Sequence, residues 1–372
     1  MVGSPARLSG RRLQIDIPLI AVVIFLLFFG LAMIYDASVV AAYRDFNDQL
    51  YYFKNQLVWA SLGTIALAFF SFFDYHKITK YAPFIFGLAL VALIVVLIPG
   101  IGSKVYGARR WITVAGFTFQ PSEFAKLALI AYQASILAKF QAYKMRLLDV
   151  AYVMFLPAFI MIALVILEPD LGTALIFIAI STAMYFIANG PIWHFLMLIP
   201  PFALAAVIAV ITQPYRIERL KTFLDPTYDP QGSSYQINQI LISLANGGVF
   251  GVGIGGSRGK FDFIPEVHSD AIFAVVAEEL GFVGAMVIIA LMLFLILRGI
   301  SVIKAARDME GRILAGGICS LLAAQTFLNL GSIVALVPLT GIPLPFISYG
   351  GSSLLITMIS IGILVNIRRQ SR

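Results

Sequence analysis

The chain of 372 residues is strongly apolar: 60% of its residues are hydrophobic, only 12% are charged, and the mean hydropathy is +0.93. Soluble globular proteins are about 45–50% apolar and about 25% charged, so this composition excludes a soluble enzyme, a disordered protein and a nucleic-acid-binding module. The single cysteine, Cys319, excludes an intrachain disulfide and a cysteine-based zinc site. In such a chain the net charge of +7 reflects membrane topology first.

Long continuous apolar runs dominate the sequence. A membrane-spanning helix needs about 20 mostly apolar residues. We therefore predict an all-α polytopic membrane protein, with residues 1–372 forming one integral membrane domain of about ten transmembrane helices. The predicted spans are residues 17–35, 57–73, 81–99, 121–138, 150–167, 171–188, 192–212, 270–297, 313–337 and 350–367.

The lysines and arginines predict the orientation of these spans. If the N-terminus is cytoplasmic, the inside segments hold most of the cations and the short outside loops hold few, as the positive-inside rule requires. Ten spans then return the C-terminus to the cytoplasm. The cations assigned to the inside are Arg7, Arg11, Arg12, Lys77, Lys80, Lys139, Lys144, Arg146, Arg298, Lys304, Arg307, Arg312, Arg368, Arg369 and Arg372.

A long extracytoplasmic loop, residues 213–269, is predicted between the seventh and eighth spans. It is far longer than a helix connection needs, and such loops are usually functional or disordered. Within it, Ser234 can cap a short amphipathic helix, and Asn246 with Gly247 gives a stop signal. The apolar positions of this helix follow an i, i+3, i+4, i+7 spacing: Ile237, Ile240, Leu241 and Leu244.

A glycine-rich stretch follows the amphipathic helix. Gly251, Gly253 and Gly256 match the pattern G-x-G-x-x-G, but the dinucleotide fingerprint requires a strand before it and a helix after it. No such unit is predicted here, so we expect no nucleotide or other organic cofactor. Because glycines permit large backbone excursions, residues 233–260 are predicted to form a mobile lid.

Three acidic residues lie close together where the loop meets the eighth span. Asp262, Glu266 and Asp270 fall within nine residues, and His268 lies among them. A carboxylate at the membrane edge, half shielded from water, can have a raised pKa that suits general-base work. The alternative is purely structural, because Ser269 or Asp270 is also a sensible N-cap for the following helix.

Further charges are predicted inside the spans. Glu123 and Lys126 are one turn apart on the fourth helix and can pair on one face, while Glu278 and Glu279 lie in the eighth span. Charges inside a membrane are costly and are therefore functional candidates by default. The alternative for Glu123 and Lys126 is a structural ion pair.

Five motifs follow one another along the chain: RRWI from Arg109, QPSE from Gln120, EPDLGT from Glu168, PEVHSD from Pro265 and TGIPLPFISYGGSS from Thr340. Together they resemble the SEDS family (shape, elongation, division and sporulation), whose members include FtsW and RodA, and the match covers nearly the whole chain. The stretches 98–102 and 255–260 are more similar to the cell-division type, FtsW. One departure is Ala271, which stands where the family usually has phenylalanine.

The resemblance implies a peptidoglycan glycosyltransferase that polymerises lipid II, a disaccharide-peptide on an undecaprenyl diphosphate, with inversion at the donor sugar. Asp270 matches the family's essential aspartate and would be the general base. The departing diphosphate must be stabilised by cations or by a divalent metal ion such as Mg²⁺ or Mn²⁺. The candidate substrate-binding residues are Lys126, Arg109, Arg258, Glu123, Glu266, His268 and Asp262.

The resemblance also implies partners and a location. The expected partners are lipid II, the growing glycan strand, membrane lipid, other division or elongation proteins and a class B penicillin-binding protein, which is a transpeptidase with one membrane helix; no nucleic acid is expected. The expected location is the bacterial inner (plasma) membrane, with the active site outside the cytoplasm. Two alternatives stay open. A flippase for the lipid-linked precursor would need charges through the whole bilayer depth, and a non-catalytic division scaffold would leave the intramembrane charges unexplained.

Overall fold

The structure, a computed structural model, describes residues 16–105, 108–114, 117–140, 146–194, 196–197, 200, 207, 211, 214–230, 232, 234–260 and 264–371. The described helices are α1 (Ile17–Phe46), α2 (Tyr51–Phe72), α3 (Tyr75–Lys80), α4 (Ala82–Leu97), α5 (Pro121–Phe140), α6 (Leu147–Leu167), α7 (Leu171–Ile187), α8 (Pro214–Leu224), α9 (Tyr235–Gly247), α10 (Ile272–Ala305), α11 (Met309–Ile333) and α12 (Gly351–Gln370). A small sheet of β1 (Gly102–Val105), β2 (Ala108–Val114) and β3 (Phe117–Phe119) lies between α4 and α5.

Six of these helices are long and apolar enough to cross a membrane, namely α1, α2, α6, α10, α11 and α12, and α4 and α7 are shorter apolar helices. The chain is an integral membrane protein. Every predicted span except the seventh overlaps one of the helices α1, α2, α4 to α7 or α10 to α12. The predicted seventh span, 192–212, lies largely outside the described residues, so the number ten is not confirmed.

The helices pack into one bundle around a core of buried leucine, isoleucine and alanine side chains. Helix α2 packs along α12, α11 packs against α7 and α10, and α4 packs against α5. Glycines allow close approach at several contacts: a Cβ added to Gly299 of α10 would collide with the sulfur of Cys319 on α11. Small residues at such contacts are typical of packed transmembrane helices.

Two ion pairs mark the two edges of the bundle. Asp16, which precedes α1, accepts hydrogen bonds of 2.7 Å from Arg298 of α10. Asp36 lies 20 residues further along α1 and pairs with Lys260 at 2.8 Å. At 1.5 Å per residue this separation is about 30 Å, the thickness of a bilayer hydrocarbon core. We call the side of Asp16 the terminal end, because α12 also finishes there, and the other side the pocket end.

The sheet was not anticipated, since its residues were assigned to a short outside loop. Strand β2 pairs antiparallel with β1, where Gly102 faces Ile112, and with β3, where Ile112 faces Phe119. The strands are only four, seven and three residues long and include charged positions. Such short, mixed segments carry too little periodicity to be recognised as strands. The sheet brings β2 over the beginning of α5, at the pocket end.

The amphipathic helix is confirmed as α9, with Ile237 and Ile240 buried against the bundle. Ser234 precedes it but makes no side-chain cap bond; its hydroxyl lies 3.4 Å from the backbone nitrogen of Asp229 instead. The glycine-rich stretch after α9 is bonded to α10 along its backbone, as described below. Whether residues 233–260 form a mobile lid stays a prediction, and residue 233 lies outside the described residues.

Candidate active site

A cavity of about 70 Å³ opens at the pocket end, between β2, the loop before α12 and the beginnings of three helices. Gln120 and Glu123 line it from the beginning of α5, and Asp170 and Thr173 from the beginning of α7. Ser352 and Ser353 line it from the beginning of α12. Because helix N-termini carry partial positive charge and unpaired N–H groups, this convergence favours an anionic ligand.

Lys126 and Glu123 form an ion pair within this cavity. Lys126 Nζ donates to Glu123 Oε1 at 2.8 Å, and the two side chains are only 1% and 4% exposed. Both residues line the cavity, so the predicted pairing on one helix face is confirmed. The pair is neutral overall, which lowers the cost of its burial while keeping a cation within reach of an incoming anion.

Arg110 reaches the cavity from β2. Its Nε donates to the backbone oxygen of Glu168 at 2.9 Å, and its Nη2 donates to that of Pro169. Asp170 completes the same turn, since its side chain accepts from the backbone N–H of Thr173 at 3.0 Å and from the Thr173 hydroxyl at 2.9 Å. Arg110 is a cavity residue that was not among the candidates predicted from the sequence. Neighbouring strand residues point to opposite faces, so Arg109 and Arg110 cannot both face the cavity.

Glu168 is fully buried beside this turn. Neither of its carboxyl oxygens has a hydrogen-bond partner among the described residues. Burial raises the pKa of Glu168 to about 9, and the neighbouring charge of Asp170 adds to the effect. Glu168 is therefore a neutral acid at neutral pH, which is how a buried carboxyl group without a partner avoids the cost of desolvating a charge.

Asp270 lies at the edge of the cavity. It follows the lining residue Ser269, and its Oδ2 is 3.8 Å from the position that a Cβ on the lining residue Gly341 would take. Its Oδ1 is buried and lacks a partner within the described part of the chain. Burial raises the pKa of Asp270 to about 6, and the negative charge of Glu266 contributes. A carboxylate with this pKa can accept a proton near neutral pH.

The structural alternative for Asp270 is not realised. Helix α10 begins at Ile272, its N-cap position is Ala271, and no side chain caps it. The turn is instead held through its backbone by Asn329 of α11, whose Nδ2 donates to the oxygens of Asp270 and Ile342, each at 2.8 Å. Asn329 thus fixes the turn of Asp270 to the loop that lines the cavity.

His268 and Glu266 lie in the same turn. The His268 ring is packed near Tyr52 and Tyr349, with ring centroids 4.1 and 5.5 Å away. Burial lowers the pKa of His268, so the imidazole is neutral. Its backbone oxygen accepts from the N–H of Tyr349 at 2.9 Å. Glu266 is exposed and has a positive φ of 50°. Neither residue lines the cavity, and their roles stay predictions.

The remaining candidates lie elsewhere. Asp262 lies outside the described residues. Arg258 is exposed beyond the glycine-rich stretch, and Arg109 is half-buried in β2 with its Cβ close to Gly102. Neither Arg109 nor Arg258 is among the residues that line the cavity. Substrate binding by these three residues therefore stays a prediction.

The cavity carboxylates do not form a metal site in the described part of the chain. No group of three histidine, cysteine or acidic side chains there could hold a metal ion. Glu123 is paired with Lys126, and Asp170 is bonded to Thr173. A divalent metal ion at this site therefore stays a prediction, and we derive no step through one.

Comparisons with known proteins agree with this architecture. The cell cycle protein family of FtsW, RodA and SpoVE matches residues 17–372. Stage V sporulation protein E of Bacillus subtilis is 39% identical, covering 98% of this chain and 100% of that protein. A probable peptidoglycan glycosyltransferase FtsW of Trichlorobacter lovleyi is 40% identical, covering 96% and 94%.

Solved structures show the same fold. One of them is described as "Structural coordination of polymerization and crosslinking by a peptidoglycan synthase complex". A chain of that structure matches this chain with a TM-score of 0.78 and 28% identity, covering 96% of this chain and 98% of that one. The rod shape determining protein RodA of Thermus thermophilus has a TM-score of 0.71 and 26% identity over the same shares. With a matching family model and relatives near 40% identity along almost its whole length, the chain belongs to the FtsW, RodA and SpoVE family.

Proposed function

We propose that the chain is a peptidoglycan glycosyltransferase that polymerises lipid II, with its active site in the cavity at the pocket end. Relatives with about 40% identity are named probable peptidoglycan glycosyltransferases. The observation that carries the proposal is the carboxylate of Asp270, which has a raised pKa and a buried oxygen without a partner in the described structure, beside a cavity that favours anions.

The acceptor side of the reaction requires a base. One in-line displacement inverts the anomeric carbon: the acceptor hydroxyl oxygen forms the new bond to that carbon, and the bond to the diphosphate oxygen breaks. Asp270 takes the proton that the hydroxyl loses. Because its pKa is about 6, the carboxylate is ionised at neutral pH yet basic enough to assist the transfer.

The donor side requires stabilisation of the diphosphate as its negative charge grows. Lys126, Arg110 and the N-termini of α5 and α12 border the cavity and supply positive charge in fixed positions, whereas the N-terminus of α7 is already capped by the Asp170 carboxylate. Preorganised donors of this kind act strongly because they need no reorganisation during the reaction. Glu123 holds the ammonium of Lys126 in place before the diphosphate enters.

The cavity volume limits what this conformation can hold. About 70 Å³ is far below the roughly 300–1,000 Å³ of typical ligand pockets. It has room for a phosphate-sized group but not for a disaccharide. We infer that the sugars lie across the mouth of the cavity or that the cavity widens when lipid II binds.

The orientation and the partner belong to the same proposal. The terminal end carries His76, Lys77, Lys80, Arg368 and Arg369, which is the excess of cations expected on a cytoplasmic side. Both termini would then be cytoplasmic, and the cavity would face outward. We propose a class B penicillin-binding protein as partner; the likeness to a chain of a peptidoglycan synthase complex supports it.

The flippase alternative receives less support from the charges. Among the described residues, the fully buried charged groups lie mostly at the pocket end, and Asp16 marks the terminal end. The buried ionisable residues at the pocket end include Glu123, Lys126, Glu168, Asp170, Arg216, Lys260, Glu278 and Glu279. A path for a lipid-linked anion through the bilayer would need cations at its middle depth. The arrangement favours chemistry at one membrane edge.

Reconstitution of the full chain tests the proposal. The chain is placed in lipid vesicles with lipid II, with and without a class B penicillin-binding protein, and glycan polymer is resolved by gel electrophoresis. The matched variant Asp270→Asn should bind lipid II but make no polymer. In parallel, transfer of fluorescent lipid II between leaflets is measured. Lipid II transfer without polymer, unchanged by Asp270→Asn, would reject the glycosyltransferase.

A further inference from the structure

Helix α10 is broken near its pocket end. Gly281 has φ +66° and ψ −171°, which is not helical. The break frees backbone groups, and the glycine segment, which we define as residues 248–256, pairs with them. Val252 and Gly253 donate to the oxygens of Glu278 and Glu279, each at 3.0 Å, while α10 donates back to Gly248 and Val249 at 2.9 and 3.1 Å.

The contact between the two backbones is too close for side chains. A Cβ added to Gly251 would collide with the oxygen of Glu279, and one added to Gly281 would collide with the nitrogen of Gly251. Gly251 also has φ +81°, which disfavours other residues. Glycine is therefore required at both positions, and the glycine segment is built onto α10.

The residues that follow the glycine segment are held on its polar side. The Ser257 hydroxyl donates to Glu278, and the Ser257 N–H donates to Glu279 at 3.2 Å. Lys260 bridges Glu279 at 3.2 Å and Asp36 of α1 at 2.8 Å. These bonds point toward the bundle, so the bundle side of the segment is polar and closed.

The opposite side of the glycine segment is apolar and open. Phe250 and Ile254 are 82% and 80% exposed, among the most exposed large apolar side chains in the described structure. Further exposed apolar side chains adjoin them: Val249, Val252, Phe282 and Val283. A contiguous patch of this kind on a soluble surface would mark a binding site or an aggregation hazard.

The depth of this patch follows from the two edge pairs. Phe282 lies 16 residues before Arg298 on α10, which is about 24 Å along the helix. The edge at Asp36 lies about 30 Å from the edge at Asp16. The patch around Phe282 therefore lies inside the hydrocarbon layer, just below the edge that Asp36 and Lys260 mark.

We propose that the glycine segment is not an aqueous loop but a wedge inserted into the lipid leaflet at the pocket end, with phospholipid acyl chains around Phe250 and Ile254. Irregular backbone at membrane depth requires its polar groups to be paired within the protein. The backbone N–H groups of Gly248, Gly251, Val252, Gly253 and Gly256 are paired within the protein, which meets most of this need. The wedge would hold the turn of Asp270 at a constant depth in the membrane. This proposal does not depend on the proposed reaction.

Spin labelling of the full chain in phospholipid nanodiscs tests the wedge. Cys319 is the only cysteine and is buried, so Cys319→Ala gives a background for Phe250→Cys and Ile254→Cys. Collision of each label with oxygen, which concentrates in lipid, is compared with collision with a water-soluble nickel chelate. Val91→Cys in the middle of α4 is the lipid control, and Asp45→Cys, about 13 Å beyond Asp36, is the water control.

We expect the ratio of oxygen to nickel accessibility at positions 250 and 254 to exceed that at Asp45 several-fold and to stay below that at Val91, because the patch lies near the edge of the hydrocarbon layer. A ratio equal to that at Asp45 would overturn the wedge. Labels shielded from both reagents would also overturn it, because a protein segment would then cover the patch. If the Phe250→Cys variant fails to accumulate, the accessibility ratio of a label at Ile254→Cys distinguishes the same outcomes.

Discussion

The two ends of the bundle treat their ionisable groups in opposite ways. At the terminal end, the His76 ring nitrogens lie 2.8 Å from Asp74 and 3.0 Å from Asp308. Asp308 also accepts from the Tyr75 hydroxyl at 2.8 Å and from the N–H of Gly311, at the beginning of α11, at 2.7 Å. Each of these side chains has a protein partner.

At the pocket end, buried polar atoms lack partners within the described residues. They include both carboxyl oxygens of Glu168, Oδ1 of Asp270 and Nδ1 of His268, whereas Nε of Arg298 is such an atom at the terminal end. A buried polar atom without a hydrogen bond costs about 1–3 kcal/mol. The cluster around Asp308 is therefore arranged for stability, while the pocket end keeps unmet hydrogen-bonding capacity that a substrate can satisfy.

The largest expected effect concerns Asp270. Asp270→Asn keeps the size of the side chain but removes the base, so we expect polymerisation to fall by about 10²–10⁴-fold with little change in melting temperature. Quantified glycan polymer and a thermal melt check both parts. In the unchanged protein the rate should rise with pH through about 6, because only the ionised carboxylate accepts a proton. Polymer from Asp270→Asn at near-normal rates would remove Asp270 from the mechanism.

The next effect separates the two buried lysines. Lys126→Met should lower polymerisation by about 10²-fold or more, as removal of one preorganised donor does. Lys260 is a matched control, because it is also buried in an ion pair but lies away from the cavity. Lys260→Met should lower the melting temperature and leave the rate per folded molecule nearly unchanged. If the rate per folded molecule falls equally in Lys126→Met and Lys260→Met, the loss is not specific to the cavity, and Lys126 has no direct role in the reaction.

Glu168→Gln should be stabilising, unlike most substitutions. The folded protein keeps a proton on Glu168 up to a pKa of about 9, whereas the unfolded chain loses it near 4.5. Stability therefore falls as pH rises through this window, and glutamine removes the dependence. The gain should grow with pH by at most about 1.4 kcal/mol per unit. Melts of both proteins across this range check it, and a gain that is constant with pH would contradict the assignment.

The smallest effect is expected at the terminal end. Burial alone would lower the pKa of His76, but its contacts with Asp74 and Asp308 outweigh this and raise it above 6.5. The stabilising contribution is therefore complete below about 6.5 and is lost as pH rises through the folded pKa. Because His76 is partly exposed, His76→Gln should cost only about 0.5–1 kcal/mol at low pH. A cost that increases with pH would reverse the sign and contradict this account.

Much of the fold could be predicted from the sequence because the membrane imposes a simple rule. Continuous apolar runs gave spans close to α1, α2, α4 to α7 and α10 to α12, and the spacing of Glu123 and Lys126 gave a pair within one helix. The amphipathic helix α9 followed from its i, i+3, i+4 pattern. These features are local, so local periodicity reveals them.

The parts that were missed depend on distant contacts. Only pairing between the strands shows that Arg110, not Arg109, faces the cavity. Asn329 holds the turn of Asp270 from 59 residues away, and nothing in its own neighbourhood indicates this. The close backbone contact of the glycines with α10 likewise depends on residues far along the chain. Composition shows what a segment can do, and tertiary contacts decide which use is made of it.

The break in α10 also bears on how the chain is assembled during synthesis. The stretch from Ile272 to Glu279 is buried on all sides and includes two carboxylates. A carboxylate that is removed from water costs free energy unless it is paired. The residues that pair with Glu278 and Glu279 precede them in the chain, so they leave the ribosome first. The part of α10 after Gly281 can enter the membrane by its apolar character alone. Glu278 and Glu279 can then pair with loop residues that have already been synthesised.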